Sequence, residues 1–157
     1  MPLLPAALLV STLLAPAPVR FAWPLPPPHS VVRAFEAPAS PFGPGHRGVD
    51  LSAPAGTAVL AAGDATVVFA GAVAARTLVS LEHRSGLRTT YEPIAPTVTT
   101  GRPVRRGEVI GHLQAGHCPS PCLHWGARRD HAYLDPLRLV GTGRVRLLPL
   151  TTPSRGG

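Results

Sequence analysis

From residue 56 onward the chain alternates short apolar runs with turn residues. The runs span residues 57–62, 65–70, 77–83, 87–91, 109–113 and 122–127, each of strand length and each bounded by Gly, Pro or Asp. Six strands are therefore predicted. Upstream, residues 31–35 (VVRAF) also have strand composition, whereas Pro24, Pro26, Pro27 and Pro28 exclude a helix, because proline lacks an N–H and fixes φ. That stretch reads as a linker or an extended edge. The segment PAGTAVLAAGDATVVFAG is echoed by TGRPVRRGEVIGHLQAG, two Gly-punctuated units of apolar alternation that read as hairpin-like. The expected fold is mostly β, a small antiparallel two-sheet sandwich built from two related halves.

A length of 157 residues allows one ordinary domain. With 45% hydrophobic against 15% charged residues, the chain has enough apolar side chains for a modest core. Twenty Pro and 16 Gly suit strands and turns better than long helices. All 15 basic residues are Arg. The absence of Lys excludes a P-loop, a Schiff-base enzyme and a biotin or lipoyl carrier, although carriers show a similar internal echo. The net charge of +7 favours acidic partners such as nucleic acid, anionic lipid or wall polymers. Nucleic acid is not expected, because the Arg residues are dispersed and no aromatic side chains interleave with them as a stacking platform.

Residues 3–17 form an apolar stretch of secretory length, shorter than the ~20 residues of a membrane span. Export is expected, through a cleaved signal or an uncleaved anchor within residues 1–22. A Pro-rich lead-in with one strand (23–45), a main domain (46–141) and a tail (142–157) complete the expected organisation. Membrane contact is expected only through the first segment. The two cysteines, Cys118 and Cys122, bracket a Pro-containing loop, and an even count in an exported chain reads as one disulfide. Cys122 has two other readings, a thiolate ligand to a metal or an unpaired thiol.

The chemistry concentrates in two places. In GHRGVDL, His46 and Asp50 stand four apart on a loop entering a strand. In CLHWG, strand alternation puts Cys122 and His124 on one face and Leu123 and Trp125 on the other. Two imidazoles and a carboxylate suit one Zn²⁺ with a fourth position open for water.

GHRGVDLSAPAGTAVLAAGDATVVFAG, LEHRSGLRTTYEP, GRPVRRGEVIGHLQAG, CLHWGARR and YLDPL, in this order, strongly resemble the lysostaphin and LytM type zinc metallopeptidases of bacterial peptidoglycan. The resemblance covers residues 23–140. It implies a groove with zinc at its floor, held by His46, Asp50 and His124, and peptidoglycan as the partner. The family's two further histidines are replaced: Pro93 stands in the Y-x-H motif and Cys122 in the H-x-H motif. The resemblance thus implies an exported endopeptidase, weakened if nothing substitutes, or a non-catalytic relative that binds murein or regulates another hydrolase. Glu92 and His117 are the candidate substitutes, Tyr91 a candidate for the substrate groove or equally for packing, and His83 a structural residue.

Overall fold

The computed structural model describes residues 21–40 and 43–141, so the apolar stretch 3–17 and the tail 142–157 lie outside the described residues. The strands are β1 (Ser30–Arg33), β2 (Gly48–Ser52), β3 (Ala58–Leu60), β4 (Ala65–Val73), β5 (Arg76–Glu82), β6 (Leu87–Glu92), β7 (Ile94–Pro96), β8 (Pro103–Val104), β9 (Val109–Leu113), β10 (Cys122–Arg129) and β11 (Ala132–Leu134). A single 3-10 turn, Pro136–Arg138, follows, capped by the Asp135 side chain accepting from the Leu137 N–H. Among the described residues no helix is long and apolar enough to cross a membrane.

The large sheet runs β1-β2-β10-β6-β5-β4-β8, with β11 added to β10, and the small sheet runs β3-β9-β7. All pairings are antiparallel. The expected mostly β, two-sheet class is what the chain adopts, but the echoed segments are not hairpins. β3 and β4 belong to different sheets, as do β8 and β9. Each strand instead pairs with the non-equivalent strand of the other segment, β3 with β9 and β4 with β8. Apolar alternation fixes which face a strand buries, not which strand it joins.

Period-2 alternation sets the two faces of the large sheet. Val49, Leu51, Leu123, Trp125, Tyr91, Val79 and Leu81 are buried, and they form one core with Val59, Ile94, Ile110 and Leu113 of the small sheet. Each such aliphatic side chain stabilises the fold by about 1.5–3 kcal/mol. The opposite, even-numbered face of β2, β10, β6 and β5 carries the polar residues.

The Pro-rich lead-in packs onto the domain. The Ala22 N–H donates to Ala62 O and the Leu60 N–H to Pro24 O, while Leu25 is fully buried and Trp23 leans on Trp125. β1 covers the edge of β2, and Glu36 and His46 exchange backbone hydrogen bonds of 2.8 and 2.9 Å. The backbone of His46 is thereby tied to the lead-in.

Candidate metal centre and cleft

In the register of the large sheet His124 stands opposite Asp50 on one side and opposite Glu92 on the other. His46 reaches the same point from the loop before β2. His124 Nδ1 lies 2.8 Å from Asp50 Oδ1 and 3.0 Å from His46 Nε2, and His46 Nε2 lies 3.0 Å from Asp50 Oδ1. Two residues are nearly inaccessible, His46 at 5% and Asp50 at 3%. The His46 tautomer follows from its other nitrogen, which donates to the Ala34 carbonyl at 2.7 Å. In neutral His46, Nε2 is then a bare lone pair facing a carboxylate oxygen, two acceptors without a proton between them. His124 Nδ1 can donate to only one of them. A cation at the common focus satisfies all three atoms at once, so this donor set fits a divalent metal that accepts nitrogen and oxygen, as zinc does.

His117 joins the group. Its Nε2 lies 3.1 Å from Asp50 Oδ1 and its ring centroid 5.0 Å from that of His124. The donor atoms of His46, Asp50, His117 and His124 all lie within 4.8 Å of one another. Burial by itself would push the Asp50 carboxyl up. The His124 hydrogen bond and the surrounding imidazoles of His46, His124 and His117 outweigh burial and hold it below the ordinary carboxylate range.

Cys118 and Cys122 are joined in a disulfide, with Cα atoms 5.8 Å apart. Cys122 therefore offers no thiolate to a metal, and neither an unpaired thiol nor a sulfur ligand is present. The bridge anchors the loop carrying His117 to the first residue of β10, two residues from His124. The neighbouring group of Asp50, His117, Cys118 and Cys122 is for the same reason no separate metal site.

The cluster opens into a cleft of about 440 Å³ along the polar face of the large sheet. Glu92 lines it and accepts from Arg76 Nη1 at 2.9 Å. Tyr91 does not line it, which corrects the expectation. Residue 91 is in phase with Leu87 and Thr89, so its ring is fully buried in the core. Its hydroxyl accepts from the Ala62 N–H at 3.1 Å and meets Thr89 Oγ1 at 2.9 Å, and burial pushes the phenol pKa up. His83 is structural: Nδ1 donates to Asp64 O and Nε2 faces Thr89 Oγ1, each at 2.9 Å. Sequence reasoning missed Arg47, Arg76, Arg88, Arg128 and Tyr133, all at the cleft. Extending the even-numbered phase of His124 along β10, and of Glu92 back along β6, would have found Arg128 and Arg88.

A family model for Peptidase family M23 matches residues 44–136. An uncharacterised protein of Mycobacterium tuberculosis is 51% identical over 143 residues, which is 87% of this chain and 57% of that protein. The chain thus spans little more than half the length of these curated relatives. The DD-carboxypeptidase/endopeptidase Mpg of Neisseria meningitidis is 33% identical over 97 residues, 60% of this chain and 23% of that protein. Among solved structures, a zinc-containing peptidase from Vibrio cholerae superposes with a TM-score of 0.64 at 22% identity, over 74% of this chain and 38% of that one. That likeness speaks for the fold, two antiparallel sheets with the cleft across the larger. With more than half of its residues matched to the family model, the chain belongs to peptidase family M23.

Proposed function

We propose that this chain is an exported zinc metalloendopeptidase acting on peptidoglycan peptides, with His46, Asp50 and His124 as the ligands of a single Zn²⁺. The observation that supports this most directly is the convergence of His46 Nε2, Asp50 Oδ1 and His124 Nδ1, 2.8–3.0 Å apart, beside an open cleft. When bound there, zinc supplies Lewis acidity toward a peptide carbonyl and lowers the pKa of bound water toward about 7.

The chain's own residues do the rest. The Ala34 carbonyl fixes the His46 tautomer, and the β2–β10 register fixes Asp50 against His124. His117, fastened by the disulfide, supplies an imidazole beside the cluster where Pro93 and Cys122 have removed the family's two. It is placed to orient water or the carbonyl oxygen by hydrogen bonding. Glu92 has the same access to the cleft, but its carboxylate is engaged by Arg76. We take His117 as the stronger candidate because its Nε2 lies within the cluster, 3.1 Å from Asp50 Oδ1. An extended peptide fits the open cleft, whose floor is a strand face.

The replaced histidines favour one second reading, a metal-holding relative that binds murein, or regulates another hydrolase, without cutting. Digestion of purified peptidoglycan by zinc-supplemented protein, with fragments read by mass spectrometry, separates the two. New peptide termini, lost on chelation and in His46→Ala, are expected. Sedimentation with the wall without new termini on any wall type would overturn the peptidase reading.

A further inference from the structure

The polar face of the large sheet is ordered in rows, because paired residues of neighbouring strands share a level. One row holds Asp50, His124 and Glu92. The next holds Gly48, Gly126, Thr90 and Ser80; the His124 imidazole lies over Gly48, and Gly126, Thr90 and Ser80 line the cleft as a shallow floor. The row after that holds Arg128, Arg88 and Glu82. Arg128 and Arg88 are thus directly opposite one another on adjacent strands, an arrangement of like charges that destabilises a sheet. Arg88 is offset by an exposed ion pair with Glu82 at 2.9 Å, which is of the weak surface kind. Arg128, half-buried, makes no ion pair among the described residues, although Asp130 and Glu82 border the same smaller hollow. Arg47, Arg76, Arg88 and Arg128 all line the cleft, where Arg76 pairs with Glu92 and Arg88 with Glu82.

From these rows we infer that the cleft selects a peptide carrying a free carboxylate, received by Arg88 and Arg128 at a fixed distance from the reacting bond. Residues 124 and 128 are four apart on one strand, so the two rows are about 13 Å apart at about 3.3 Å per residue. A peptide lying extended along β10 rises by the same amount per residue. Allowing for the reach of the guanidinium groups, the carboxylate lies about two to four residues from the bond held at the His124 row. The small residues Gly126, Thr90 and Ser80 let the intervening peptide lie close to the floor. Guanidinium forks match a carboxylate in geometry and charge, whereas a carboxamide of the same shape brings an N–H₂ toward donors that have nothing to accept it. The cleft therefore distinguishes a wall peptide with free carboxyls from its amidated form. The position of the bond rests on the zinc peptidase reading; the preference for the carboxylate does not.

Calorimetric titration with soluble muropeptides, as free acids and as the same molecules converted to carboxamides, tests this on the full chain with zinc. The free acid is expected to bind at least tenfold more tightly, with an advantage that shrinks as salt rises. Arg88→Gln and Arg128→Gln should each reduce that advantage, and the double variant should abolish it. Omitting zinc should keep it, because the Arg pair needs no metal. Equal binding of the two forms, binding of neither, or a preference untouched by the Arg substitutions would overturn the inference. A normal preference in protein that takes up no zinc and cuts no wall would instead sink the peptidase reading and leave this one standing.

Discussion

Gly48 is the position where a single methyl group tests the construction of the site. A Cβ there would stand 2.5 Å from the Trp125 carbonyl oxygen, 2.7 Å from His124 Nε2 and 2.9 Å from His124 Cε1, all nearer than real Cβ atoms approach. The carbonyl belongs to a strand paired with β2, and the His124 ring is held through Nδ1 by Asp50. Relief requires that β2 and β10 part or that the imidazole turn away. Parting strained strands in a packed sheet costs about 1–3 kcal/mol, and turning a ligand out of line lowers metal affinity by about 10- to 100-fold. Gly126, opposite Gly48 in the register, is the control. Its added Cβ would meet nothing nearer than Arg47 O at 3.5 Å, an ordinary contact. Neither glycine needs the left-handed backbone region, so the comparison isolates space. Urea unfolding and zinc titration against a competing chelator should show Gly48→Ala impaired in both and Gly126→Ala near wild type. Gly48→Ala with wild-type stability and zinc affinity would refute the reasoning, as would equal damage from both.

His117→Ala should keep zinc but lose about 10²- to 10³-fold in kcat on wall substrate, the scale of one transition-state hydrogen bond, and full activity would remove His117 from the mechanism. Replacing Cys118 and Cys122 together by Ser should lower stability to urea by about 2 kcal/mol for so short a loop, and should reproduce much of the His117→Ala loss. Burial lowers the His83 pKa, although its bond to the Asp64 carbonyl opposes the shift. The unfolded chain therefore takes up a proton first as pH falls, and stability is full above about 6.5 and declines below it, by at most about 1.4 kcal/mol per pH unit, until the folded His83 itself titrates. Denaturant midpoints across that window should show the slope, and His83→Gln should flatten it.

β1, β3 to β6, β9 and β10 were legible because turn residues bracket runs of the right length, whereas β7, β8 and β11, two or three residues long, leave no such run; the CLHWG alternation put Trp125 and His124 on opposite faces, as found. The juxtaposition of His46, Asp50 and His124 was what the family resemblance implied, and the β2–β10 register sets Asp50 opposite His124. Tyr91 stood open between the groove and packing, and it is packed. The phase of Leu87, Thr89 and Tyr91 decides the matter, and Thr89 and the Ala62 N–H satisfy that hydroxyl inside the core. The echoed segments suggested hairpins because local alternation carries no information about partner strands. His117 was a candidate on the condition that a disulfide held its loop inward, and the Cys118–Cys122 bridge ties that loop to β10 beside Asp50. The Arg88–Arg128 pairing needed the register of β6 against β10, which no single strand reveals.

The central claim is that His46, Asp50 and His124 hold one zinc ion. Metal analysis of dialysed protein, with X-ray absorption at the zinc edge, tests it most directly. The account predicts one zinc per chain in a shell of nitrogen and oxygen only, and none in His46→Ala that remains folded by circular dichroism. Zinc-free wild-type protein after incubation with the metal, a sulfur ligand, or undiminished zinc in His46→Ala would contradict it.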